Sequence, residues 1–111
     1  MKTLILSLLS LSFISLSAHA MRTITVSGSG SDNTYCNPTA SYFCVDDSKR
    51  RARSEAERNA RWYCELNERG RAITYTAFYS DYCNPSYLPP NHNGTWVSCR
   101  SDVRMSCEVE N

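Results

Sequence analysis

The stretch "TWVSCRSDVRMSCEVE", residues 95–110, decides the fold. From Trp96 to Glu110 its side chains alternate. Val97, Cys99, Ser101, Val103, Met105, Cys107 and Val109 fall on one side, and Trp96, Ser98, Arg100, Asp102, Arg104, Ser106, Glu108 and Glu110 on the other. A period of two over this length marks a half-buried antiparallel strand, with a bend expected near Ser101. The segment before it, "NPSYLPPNHNG", holds three prolines, which withhold backbone donors, so it reads as a loop. Before that loop, "RAITYTAFYSDYC" is rich in threonine and aromatic residues and reads as the strand that precedes the long one.

Further upstream the period changes to that of a helix. At about 100° per residue, Val45, Ala52, Ala56, Ala60, Tyr63 and Leu66 share one face, while Arg50, Arg51, Glu57, Arg58, Arg61 and Glu65 share the opposite one. Asp46, Asp47 and Ser48 offer N-cap oxygens, and Gly70 stands where a left-handed C-terminal residue belongs. Glu57 with Arg61 and Glu65 with Arg69 have the favourable i,i+4 order. A stripe built mostly of alanine lets the helix backbone lie close to the layer it covers, and Cys64 borders that stripe. The first strand is expected over residues 22–27, "RTITVS", followed by "GSGSDN" as a flexible polar connection.

These elements give a small disulfide-stabilised α+β domain of order β-α-β-β, with one amphipathic helix packed on a three-stranded sheet. A right-handed crossover makes the first two strands parallel, and the third is expected antiparallel beside the second. The phrase Tyr-Cys-Asn-Pro occurs twice, ending at Pro38 and at Pro85, 47 residues apart. In this topology each copy stops one of two parallel strands at the same end of the sheet and leaves a cysteine there.

Residues 1–20, "MKTLILSLLSLSFISLSAHA", carry a basic Lys2, an apolar run from Leu4 to Leu16 and a small-x-small ending. That is the pattern of a secretory signal peptide, and the run is short of a membrane span. The expectation is a secreted or periplasmic mature domain over residues 21–111, with no lipidation cysteine and no membrane span. All six cysteines lie within it, which in a small exported chain reads as three disulfides. A metal site is disfavoured, because no cysteine pair has C-x2-C spacing and His92 is the one mature histidine. No cofactor motif is present. Cys99 and Cys107, eight residues apart on one strand, are separated by roughly 26 Å and cannot bond. If Cys83 lies opposite Cys99, the hairpin register sets Cys107 opposite Tyr75, within reach of the helix end that bears Cys64. The expected pairs are therefore Cys36–Cys44, Cys64–Cys107 and Cys83–Cys99. The main rival joins the repeated turns, Cys36–Cys83.

In the mature part eleven basic residues face eleven acidic ones, which argues against a steering field for nucleic acid or anionic membrane. Lys49, Arg50, Arg51 and Arg53 form a local basic cluster, but the neighbouring acids make it read as a solvated, ion-paired helix face. Catalysis finds few handles. His92 has no evident partner, there is no phosphate loop or serine elbow, and Asp81, Asp102, Glu108 and Glu110 are the carboxylates from which a hydrolytic pair would have to come. Asn93-Gly94-Thr95 has the form of a glycosylation acceptor, used or not according to the host.

The candidate binding residues are Phe78, Tyr82, Trp96, Arg100 and Arg104. All five are expected on the sheet face turned away from the helix, where rings beside guanidinium groups can stack on a ligand. The competing arrangement buries these rings beneath the 84–95 loop or the "TASYF" segment. The function expected is a non-catalytic exported module that binds an unknown protein or small ligand. A secreted effector or inhibitor acting through the 84–95 loop comes second, and a small hydrolase using surface carboxylates third. The sequence leaves the oligomeric state open.

Overall fold

The computed structural model describes residues 20–41 and 43–111. The elements run in the order β1 (Met21–Cys36), α1 (Phe43–Trp62) continued by a π-helical turn (Tyr63–Asn67), β2 (Arg71–Asn84) and β3 (Thr95–Glu110). One helix packs on a three-stranded sheet, the expected β-α-β-β architecture, and both strand pairings are antiparallel. Apart from Ala20, the expected leader lies outside the described residues.

The strand order differs from the expected one. β3 lies in the middle, giving β1-β3-β2, and is antiparallel to both neighbours. β1 and β2 still run in the same direction, but β3 is inserted between them. Antiparallel ladders are somewhat more stable per residue than parallel ones, and this arrangement gives β3 a partner on both sides. Its inward residues are correspondingly sealed: Val97, Cys99, Ser101, Val103, Met105, Cys107 and Val109 are all buried.

β1 is also longer than expected. "GSGSDN" is no flexible connection but the middle of a strand that pairs residue for residue with β3, from Met21↔Glu110 to Cys36↔Thr95. The glycines face the helix. A Cβ on Gly28 would lie 2.4 Å from the Ala60 nitrogen and 2.5 Å from the Ala56 oxygen; one on Gly30 would lie 2.3 Å from the Ala52 oxygen. Glycine on the strand and alanine on the helix thus bring two backbones together at distances no larger pair permits. Ala52, Ala56 and Ala60 are fully buried there.

The helix ends depart from expectation in three ways. It starts at Phe43, and the Ser41 hydroxyl accepts the Phe43 N–H (3.3 Å). Asp46, Asp47 and Ser48 therefore lie inside the helix rather than capping it. At the other end the wider π turn advances the phase, so Cys64 takes the buried place while Tyr63 and Leu66 are exposed. The left-handed residue is Arg69 (φ 52°), not Gly70. Gly70 is required for space: a Cβ there would sit 2.5 Å from the Glu108 oxygen and 2.6 Å from the Cys107 sulfur. Arg69 lies beyond the π turn, so Glu65 and Arg69 lack the helical i,i+4 spacing, and Glu57 accepts a hydrogen bond from the Tyr79 hydroxyl (3.3 Å), with no Glu57–Arg61 ion pair among the described residues.

The disulfides are Cys36–Cys44, Cys64–Cys107 and Cys83–Cys99, the expected set, and no cysteine is free among the described residues. The register behind the second pair is different, however. Cys107 stands opposite Ala72 rather than Tyr75, because Thr74–Ala77 bulge against Met105 alone. Thr76 replaces the interrupted ladder: its hydroxyl accepts the Ser106 N–H (2.9 Å) and donates to the Ile73 carbonyl (2.6 Å).

Two aspartates on the flanking strands fasten the helix. On β1, Asp32 accepts from Thr34 (2.6 Å), Ser48 (2.8 Å) and Arg51 (3.2 Å). On β2, Asp81 accepts from Arg53 (2.7 Å) and from buried Ser101 (2.7 Å). Burial raises both carboxyls, but the hydrogen bonds and the arginine charges outweigh it and hold each below the usual carboxylate range. A carboxyl depressed in the native state contributes stability that is present above its unfolded value, near 4, and is lost as pH falls through its native value. Denaturant melts should therefore give constant stability from pH 7 to about 5 and a decline below about 4. Asp32→Asn with Asp81→Asn should flatten that decline; an unchanged profile would show that the clamps contribute nothing.

Candidate functional site

With α1 over one face, the sheet presents its other face to solvent. Alternation along three aligned strands arranges that face in rows across the sheet, spaced roughly 6.8 Å along the strands. Tyr35 pairs with Trp96; then come Asn33, Ser98 and Asn84; then Ser31, Arg100 and Tyr82; then Ser29, Asp102 and Ser80; then Ser27, Arg104 and Phe78. Rows bearing rings thus alternate with rows of hydroxyl, amide and carboxylate groups.

All five expected residues stand on this face, and the rings are bare. Trp96 is 65% exposed, Phe78 67% and Tyr82 68%. Arg100 and Arg104 are exposed as well. Among the described residues nothing forms a second core over them. The 84–95 loop turns the other way and inserts Leu88 (buried) among Cys36, Val45, Val97 and Cys99 on the helix side. His92 fastens the loop: one ring nitrogen contacts the Ala40 carbonyl (3.0 Å) and the other accepts the Gly94 N–H (3.1 Å). Gly94 (φ 90°) lies against the Tyr35 ring, so the loop also supports one edge of the exposed face.

Sequence reasoning missed Tyr35, whose ring meets Trp96 edge-on at 5.6 Å between centroids. The signal was present: Thr23, Thr25, Ser27, Ser29, Ser31, Asn33 and Tyr35 continue the period of β1 straight through its glycines.

Polar groups on the face are partly committed to one another. Ser98 donates to Asn33 (2.5 Å), and Asp102 accepts from Ser29 (2.5 Å) and Arg100 (3.3 Å). The Ser29 and Arg100 hydrogen bonds hold the Asp102 carboxyl below the usual range. Arg71 pairs with Glu108 (2.7 Å). Arg104 has no carboxylate partner among the described residues. Two open depressions, of about 350 and 270 Å³, lie on either side of Phe78 and Arg104.

Other candidates sort as follows. Each member of the basic cluster has an acidic partner: Lys49 with Asp46, Arg50 with Asp47, Arg51 with Asp32 and Arg53 with Asp81. Asp81 faces the helix and Asp102 the open side, so the structure does not bring these two carboxylates together. Asn93 is exposed in its loop. A groove of about 660 Å³ runs between the first repeated turn and the 84–95 loop, lined by Pro38, Ala40, Tyr87 and Pro90 among others. Trp62, Tyr63 and Leu66 form a separate exposed apolar patch at the end of the helix, with Arg58 over the Trp62 ring at 5.8 Å. Among the described residues no group of three His, Cys, Asp or Glu is placed to hold a metal ion, and no helix is long and apolar enough to cross a membrane.

The chain matches no family model, no curated protein and no solved structure.

Proposed function

We propose that this protein is a small exported, non-catalytic module that binds its ligand or partner through the open sheet face, with Trp96, Tyr82, Phe78, Arg100 and Arg104 as the contact residues. The observation that carries this reading is the concentration of bare rings on one rigid surface. Trp96, Tyr82 and Phe78 are each about two-thirds exposed and share one face, where large rings provide contact area at low conformational cost. The sheet holds these side chains in fixed register, so little ordering entropy opposes binding. Three disulfides suit an oxidising compartment and support export, as the leader-like sequence does.

Because the contact residues are exposed, truncating them should weaken binding without unfolding the domain. Trp96→Ala with Arg100→Ala is expected to reduce capture of the ligand, measured as affinity for surface-enriched fractions of the producing cell, by about tenfold or more. Thermal melting should stay within a few degrees. Trp62→Ala with Leu66→Ala, on the opposite side of the molecule, should leave binding intact. If the helix-end variant abolished binding while the sheet variant did not, the assignment of the surface would be wrong.

A second reading places the interaction on the 84–95 loop of an effector or inhibitor. The specific feature favouring it is the way Leu88 and His92 hold that loop in one shape with Pro89 and Pro90 exposed at its tip. Loss of binding on Pro89→Ala with Pro90→Ala, and none on Trp96→Ala, would select it.

A further inference from the structure

We infer that the open face takes a linear carboxylated saccharide, laid along β3, with Arg104 as the partner of one of its carboxylates. This rests on the reading of that face as the binding surface and assigns the ligand's chemistry.

The residue types determine the class. A saccharide has apolar C–H faces and a rim of hydroxyls that both donate and accept hydrogen bonds. Its complement is a set of exposed rings interleaved with hydroxyl and amide groups, which have the same dual capacity. The face has that composition in alternating order. Rings occur in the rows of Trp96, Tyr82 and Phe78, and between them lie the rows of Ser98 with Asn33 and Asn84 and of Ser80 with Ser29. Ring-bearing rows therefore recur about every 13 Å over a span of roughly 26 Å. Such a track favours an extended polymer over a compact molecule.

Charge sets the rest. Along this span Arg100 and Arg104 stand against Asp102. Arg100 is already engaged with Asp102 (3.3 Å), whereas Arg104 has no acidic partner among the described residues. A carboxylate is repelled one row away by Asp102 and attracted at Arg104, whose planar guanidinium offers two parallel donors to it. Both depressions flanking Arg104 carry hydroxyls, Ser27 and Ser80 on one side and Thr25 and Ser106 on the other. A sugar carrying the carboxylate would meet polar partners in either direction.

Other polymers fit less well. Single-stranded nucleic acid brings a negative charge at every residue, against a span with one surplus cation and Asp102 near its middle. An extended peptide gains its affinity from main-chain pairing at a sheet edge, and a sheet face offers no such pairing.

The test is isothermal titration of the folded protein with a hyaluronan hexasaccharide, whose carboxylates fall on alternate sugars, its full methyl ester and an oligothymidylate of similar length. The acid should bind at least tenfold more tightly than the ester. Arg104→Gln should bring the two to the same affinity, Trp96→Ala should weaken both, and Arg58→Gln, on the helix face, should change neither. Thermal melts of each variant confirm folding. Equal affinity for acid and ester, a preference that survives Arg104→Gln, or no binding of the acid at millimolar concentration would overturn the assignment. Should the ester or the oligothymidylate bind best, and lose affinity in Trp96→Ala, the open face stands as the binding surface and its ligand class is wrong. Binding insensitive to both Trp96→Ala and Arg104→Gln would overturn both.

Discussion

Replacing Cys64 and Cys107 together by serine lowers the melting temperature by roughly 15–30 °C, the largest loss expected from any single cross-link. This bridge spans 43 residues, against 16 for Cys83–Cys99 and 8 for Cys36–Cys44. Chain-entropy reasoning assigns about 4 kcal/mol to closing a loop of that size and progressively less to the shorter ones. Two features add to the entropic effect. Both sulfurs are fully buried, so serine leaves hydroxyls in an apolar cluster with Val26, Ala60 and Val109. The bridge also joins the π turn to the central strand, where Gly70 and the Arg69 conformation bring the chain back against β3. The measurement is a set of thermal melts of the three double-serine variants. The expected order of loss is 64/107, then 83/99, then 36/44; a smaller effect for 64/107 than for 36/44 would contradict the loop-length ordering.

The second large effect comes from a single methyl group. Gly30→Ala, or Gly28→Ala, inserts a Cβ into helix backbone rather than into a movable side chain, at 2.3 and 2.4 Å respectively. The helix must shift outward, and the shift disturbs the alanine contacts as well as the Asp32 and Asp81 clamps that hold it from both sides. Overpacking of this kind costs about 1–3 kcal/mol, and the upper end is expected because no rotamer change relieves it. The melting temperature should fall by roughly 5–20 °C. Gly94→Ala is not an equivalent control, since its positive φ introduces a separate strain. Ser31→Ala is suitable, being exposed on the open face immediately after Gly30. If Gly30→Ala were neutral, the helix would lie further from β1 than the structure places it.

These two cases also show which parts of the fold were legible from sequence. The period of β3 passed unbroken through serine, cysteine and arginine, so its two faces, and with them Trp96, Arg100 and Arg104, could be read directly. Phe78 and Tyr82 followed, because the register set by Cys83 opposite Cys99 holds from Asn84 back to Phe78. Beyond Phe78 it fails. Nothing in "ITYTA" announces that Thr76 will bond across the ladder, and the bulge moves Cys107 by three positions. Ala72 nevertheless lies near enough to the helix end for the Cys64–Cys107 pairing to hold.

The misreadings share a cause: a local signal was overruled by contact with a distant element. Gly28 and Gly30 have the composition of a turn, and they became strand because the alanine stripe, more than twenty residues away, needs backbone-to-backbone approach. Reading that stripe against the glycines as one complementary surface would have extended β1 and brought Tyr35 beside Trp96. Leu66 and Tyr63 fit the helical period and left the core because a π turn changed the phase to bury Cys64. Strand order was likewise not contained in any one segment. Alternation identifies a half-buried strand but not its neighbours, and only the pairing of β3 on both sides fills the space between β1 and β2.

The binding surface exists only if helix and loop cover one side of the sheet and leave the ring-bearing side open. Hydroxyl-radical footprinting of the native protein, read residue by residue by mass spectrometry, tests it most directly. Phe78, Tyr82 and Trp96 should be modified rapidly in the folded protein. Met105, an intrinsically reactive side chain only 2% exposed beneath the helix, should remain protected until the protein is unfolded. Protection of the three rings to the level of Met105 would mean that the face is covered, and the binding surface described here would not exist.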